Sequence, residues 1–65
     1  LQNYEIMFFN RWGQEVWASN NPTEGWDGRD HNGNNVPEGV YVFSMTYTNL
    51  SGDKIMQTGN VTVLR

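Results

Sequence analysis

VPEGVYVFSMTYT, residues 36–48, is the stretch that decides the fold. It opens with turn formers, Pro37-Glu38-Gly39, and continues as nine residues that alternate with a period of two. Tyr41, Phe43, Met45 and Tyr47 share one face; Val40, Val42, Ser44, Thr46 and Thr48 share the other. β-Branched and aromatic residues in alternation, bounded by turn formers, predict a half-buried strand. At helical spacing the large residues would scatter around the cylinder, so a helix is excluded. The rest of the chain reads as material that this strand pairs with or packs on.

Downstream, Asn49-Leu50-Ser51-Gly52-Asp53 leads into a second strand over residues 54–64. With Asn49 facing Asp53, a three-residue loop places Gly52 at the left-handed position of a common hairpin. That register sets Tyr47 opposite Ile55 and Tyr41 opposite Val61, which keeps apolar residues together. It also sets Gln57 on the core face, and a bulge at Gly59 offers an escape, so the register there stays open. Upstream, residues 4–9 read as a strand with Tyr4, Ile6 and Phe8 on one face and a partly covered Met7 and Phe9 on the other. Asn10-Arg11-Trp12-Gly13 is a turn, since Asn tolerates a left-handed backbone and Gly adopts one freely. A short strand over residues 14–17 then closes a first hairpin. Residues 18–35 shift to Asn, Gly, Asp, Ser and Pro and form a loop whose only large apolar residue is Trp26. A loop of that length needs a pin or a function, and the Trp26 ring inserted beneath it is the expected pin. Within it, residues 30–35 read as a tight turn centred on Asn32-Gly33.

The chain has 65 residues, one domain at most, with seven carboxylates against four Lys and Arg and no cysteine. Without cysteine there are neither disulfides nor thiolate chemistry. Nine aromatics, three of them tryptophan, must supply most of the packing. Arg11, Arg29, Lys54 and Arg65 are scattered, so no basic patch exists for nucleic acid. The longest apolar run is four residues, 6–9, far short of the ~20 of a membrane helix. No signal peptide is visible, and the abrupt start in a strand suggests a piece of a longer protein.

Reaction chemistry is thinly represented. Asp27, Asp30, Asn32 and Asn34 crowd oxygen donors together. Counted from Asp30, however, Asn35 replaces the glycine and Tyr41 the glutamate that a calcium loop requires. A turn rich in Asx residues is the better reading, and no metal is expected. His31, the one histidine, lies in a polar turn with no nucleophile or orienting partner nearby in sequence. No catalytic residue and no cofactor is expected. Trp12, Trp17 and Trp26 are the candidates for a binding face, which makes a carbohydrate-binding module of a secreted protein the alternative reading. Against that, a domain this small needs its aromatics inside, above all Trp17 and Trp26.

Phe9-Asn10-Arg11-Trp12-Gly13-Gln14, Val16-Trp17, Trp26-Asp27-Gly28, Asn32-Gly33, Val36-Pro37, Gly39 and Tyr41 follow one another in that order. The chain closes with Gly59 and Val61-Thr62-Val63-Leu64-Arg65. Together these blocks closely resemble the gliding-motility-associated C-terminal domain, the type B sorting domain of the bacterial type IX secretion system, over essentially the whole chain. The latter half also resembles immunoglobulin-like modules of flagellar hook-capping proteins, which lack the first block.

The resemblance implies an all-β fold, a small immunoglobulin-like antiparallel β-sandwich at the C-terminus of a large secreted or cell-surface protein. Residues 1–65 would form a single type B sorting domain, partial at its N-terminus. The family's usual Pro-Asn-Gly-Asp-Gly segment and first strand are missing. Such a domain is an address that carries its parent across the outer membrane. Its implied partners are type IX translocon components and an SprF-like outer-membrane protein. The residues expected to bind them are Arg11, Trp12, Gly13, Trp26, Asp27 and Gly28. The missing strand also leaves an edge open to self-association or strand addition.

Overall fold

A computed structural model describes residues 2–64, so Arg65, the last of the scattered cations, lies outside the described residues. The four strands are β1 (Gln2–Phe9), β2 (Glu15–Ser19), β3 (Gly39–Thr48) and β4 (Lys54–Val63). They form one antiparallel sheet in the order β2-β1-β3-β4. The decisive stretch is therefore a central strand, paired on both sides. The all-β expectation holds. The described strands make a single open sheet, which is compatible with an immunoglobulin-like arrangement. The Tyr41 hydroxyl donates to the Pro37 carbonyl at 2.7 Å, a backward bond of the kind that marks corners in such sandwiches.

Pairing extends β2 beyond the expected residues 14–17. Ala18 and Ser19, whose composition reads as loop, face Met7 and Ile6 across the ladder. Between Phe8 and Phe9 the β1–β2 register shifts, with Phe8 opposite Trp17 and Phe9 opposite Glu15, so Val16 is the extra residue of a bulge. The β3–β4 ladder runs without interruption from Gly39↔Val63 to Thr48↔Lys54, with Tyr47 opposite Ile55 and Tyr41 opposite Val61. The register left open around Gly59 is thus regular, and the bulge is absent. Gly59 stands opposite Phe43, and a Cβ there would come within 2.7 Å of the Phe43 ring. The glycine is needed for a ring to lie over it.

The core lies on the face carrying Ile6, Phe8, Trp17, Tyr41 and Phe43. Only its Phe8–Tyr41 end is roofed, by the long loop. Trp26 stacks on Phe8 with centroids 4.5 Å apart and meets Tyr41 edge-on at 5.4 Å. Its Nε1–H donates to the Arg29 carbonyl at 2.8 Å. This is the pin the sequence predicts. Val36, Phe8 and Tyr41 are the buried hydrophobic residues beneath it. Gln57 sits on the same face at the far end, beyond the reach of the loop, and is exposed. Its polarity therefore costs nothing there. The opposite face leaves Val40, Val42 and Met56 exposed, with Met7 and Phe9 half-buried.

Candidate functional site

Three turns in the chain are one structure repeated. In residues 10–14, 30–34 and 49–53 the first residue is Asn or Asp and the fourth is Gly. Gly13, Gly33 and Gly52 have φ of 82°, 82° and 85°, the left-handed region that glycine enters without strain. The first residue's N–H donates to the fifth residue's carbonyl at 2.9, 2.8 and 2.9 Å. Its Oδ1 accepts the N–H groups of the third and fifth residues at 2.9–3.0 Å in all three. The pattern Asn/Asp-x-x-Gly-x was present in the sequence at all three places. Residues 30–34 form the same three-residue loop, with His31, Asn32 and Gly33 at its tip.

These bonds fix what the carboxylates and amides of the supposed calcium loop do. The Asp30 oxygen is committed to the Asn32 and Asn34 amides, and Asp27 Oδ1 accepts the Arg29 N–H at 3.1 Å. Among the described residues no group of three acidic or histidine side chains is placed to hold a metal. His31 does have a partner, which local sequence does not reveal. Its Nε2 lies 2.9 Å from Glu15 Oε2, sixteen residues away on β2, and both side chains are well exposed. The pair ties the second turn to the sheet edge beside the first turn. An exposed pair of this kind is worth at most about 1 kcal/mol.

The first turn is the most distinctive surface. Trp12 at its tip is 70% exposed, and the Arg11 guanidinium lies 4.4 Å from the centre of the Trp12 ring. The aromatic is held by this cation–π contact and by a backbone with every turn bond made. Behind it is a shallow notch of about 210 Å³ between the turn and residues 37–41, lined by Val16, Pro37, Glu38 and Val40 among others. The other tryptophans are turned inward. Trp17 tilts against Phe8 at 5.8 Å and Trp26 stacks on it, so the three rings make no common platform for a sugar. Gly28 is buried with φ of 80°, and its carbonyl accepts the Val36 N–H at 2.9 Å. Of the six expected contact residues, Arg11 and Trp12 therefore meet solvent together, and Gly13 shapes their turn. Trp26, Asp27 and Gly28 hold the loop whose tryptophan backs Tyr41, a wall of the same notch.

The family model for the CHU_C type IX secretion signal domain matches residues 1–63. The chain belongs to this family. As a type IX secretion signal domain it marks its parent protein for export across the outer membrane to the cell surface or medium, and the secretion machinery is what recognises it. The family is not one of enzymes. No curated protein and no solved structure gives a significant match. Among the described residues of the signal domain, no helix is long and apolar enough to cross a membrane. Its cations Arg11, Arg29 and Lys54 fall on a turn, the long loop and β4, three separate places.

Proposed function

We propose that this signal domain acts as a type B address, read by an SprF-like outer-membrane protein through the tip of the first turn. Arg11 and Trp12 make the contact. Gly13 sets the shape of the tip, and Trp26, Asp27 and Gly28 serve by holding the loop behind the notch. Among the described residues the histidine ties to Glu15, and Asp27 and Asp30 each turn one carboxylate oxygen to loop amides, an arrangement that suits a surface to be read. The observation that carries the reading is the Arg11–Trp12 stack, exposed on a turn that cannot easily relax. Trp and Arg are enriched among the residues that carry binding energy at interfaces, and a pair already held in place has less freedom left to lose on binding.

The test is export of a reporter carrying this domain in a host with the secretion system. Trp12→Ala and Arg11→Ala should each cut surface or medium reporter several-fold, since loss of an anchor costs about 2 kcal/mol, or roughly 30-fold in affinity. Neither should shift the unfolding midpoint by more than about 0.5 kcal/mol, as expected for surface substitutions. Leu50→Ala, on the exposed turn at the other end of the sheet, should export normally. Full export by the Arg11→Ala, Trp12→Ala double variant would refute the assignment.

A further inference from the structure

The two edges of the sheet differ in kind. β2 is five residues long and carries the bulge at Val16, two features that blunt an edge. β4 is ten residues long, contains no proline, pairs with β3 in one unbroken register and has Lys54 as its single charge. At the base of the β3–β4 hairpin the Asn49 N–H donates to the Asp53 carbonyl at 2.9 Å, so these two residues turn their backbone groups toward each other. Alternation along an antiparallel ladder then directs Ile55, Gln57, Gly59, Val61 and Val63 toward β3. It turns the N–H and C=O groups of Lys54, Met56, Thr58, Asn60 and Thr62 outward. Among the described residues no strand lies beyond them.

The outward set is symmetric about Thr58. Rotating a second copy by half a turn about an axis normal to the sheet and just outside the β4 edge at Thr58 lays its β4 antiparallel against the first. Thr58 then faces Thr58, Met56 faces Asn60 and Lys54 faces Thr62, each facing pair exchanging two backbone bonds. In the intervening pairs Ile55 meets Val61 on the core face. The charge distribution permits the approach. The chain carries a net −3, yet Glu5, Glu15, Glu24, Asp27, Asp30 and Glu38 lie on β1, β2 and the long loop. Asp53 precedes β4, and Lys54 is offset from its own copy. We propose that two copies of this chain associate through their β4 edges into one continuous sheet, with the two Thr58 residues facing each other across the two-fold axis. One strand pair buries less than the ~1,200 Å² of a stable interface, so the association is expected to be weak.

Sedimentation equilibrium over a wide concentration range, taken up to the solubility limit, should show a monomer–dimer equilibrium. Thr58→Lys, which sets two like charges face to face across the axis, should weaken it by up to about 5-fold. Tryptophan fluorescence of that variant checks that it remains folded. Because the chain has no cysteine, Thr58→Cys gives an independent reading. Facing residues of a hydrogen-bonded antiparallel pair have Cα atoms ~5.5 Å apart, within disulfide reach. Aerobic copper–phenanthroline, taking up the two electrons, should join Thr58→Cys chains into dimers, and should leave Ala18→Cys chains on the β2 edge monomeric. Any of three results overturns the proposal. These are a monomer at every concentration, the outcome expected if only a strand of another protein occupies this edge; a Thr58→Lys variant that associates like the wild type; or equal cross-linking through Ala18→Cys.

Discussion

Gly59→Ala tests the packing logic of the sheet most directly. A methyl group at this position would lie 2.7 Å from Cε2 and 2.8 Å from Cζ of Phe43, well inside carbon–carbon contact. The ring has little freedom to retreat, because its other side meets Phe8 at 5.9 Å, and Phe8 in turn carries Trp26. Overpacking of this sort costs about 1–3 kcal/mol. Replacing a mid-strand glycine returns roughly 0.5–1 kcal/mol of backbone entropy. The expected net loss is thus about 1–2 kcal/mol, a large share of the ~3–5 kcal/mol that a core of this size supplies. At ~4–8 °C per kcal/mol for a small domain, the melting midpoint should fall by roughly 5–15 °C. Urea titration followed by tryptophan fluorescence and thermal melts followed by circular dichroism both measure it. Phe43→Leu removes the offending ring edge, so in that background Gly59→Ala should be neutral or slightly stabilising. The double-mutant cycle then isolates the clash. A Gly59→Ala variant as stable as the wild type, with Phe43 intact, would refute the reasoning.

Two further substitutions probe the turns and the pin. Asn10→Ala removes the Oδ1 that accepts the Trp12 and Gln14 amides, and Asn49→Ala removes the same pair of bonds in the third turn. Because the geometry is shared, both should cost about 1–2 kcal/mol in urea titration, and a cost confined to one would break the equivalence. Trp26→Phe keeps a ring on Phe8 and gives up the Nε1 bond to the Arg29 carbonyl, so it should cost about 1 kcal/mol. Trp26→Ala should cost about 3–5 kcal/mol, enough to abolish the cooperative melt.

What the sequence discloses is what short-range physics controls. Alternation in residues 36–48 names the central strand, and the spacing of Asn49, Gly52 and Asp53 places the hairpin; the register past Gly59 to Tyr41↔Val61, open in the sequence, is settled by the structure. Trp26, alone among polar residues, packs its ring on Phe8 and against Tyr41 while remaining half-buried. The misreadings have causes outside the segment concerned. Gly59 suggested a bulge because a lone strand glycine is a backbone signal, whereas its cause is a ring on the neighbouring strand. Gln57 is awkward in sequence only if the strand face is buried along its whole length, whereas the loop covers one end of it. Ala18 and Ser19 were drawn into β2 by partners on β1. The His31–Glu15 contact joins two elements sixteen residues apart, with no local pattern to announce it.

The blocks that carry the family resemblance divide, in the structure, into two kinds of residue, and this governs how export data must be read. Gly28 is buried and the half-buried Trp26 stacks on Phe8, Gly13 occupies a left-handed turn position, and Asp27 fixes the Arg29 amide. Changing any of these weakens a thin core in which Phe8, Val36 and Tyr41 are the buried hydrophobic residues. Lost export from such variants reports lost folding as readily as lost recognition. Arg11 and Trp12 differ, since truncating either leaves every turn hydrogen bond in place: Asn10 makes those through its own side chain and backbone. They are the pair at which recognition separates from stability. Unfolding must therefore be measured on the same variants whose secretion is scored. A variant that folds like the wild type and stays inside the cell is the result that assigns the contact.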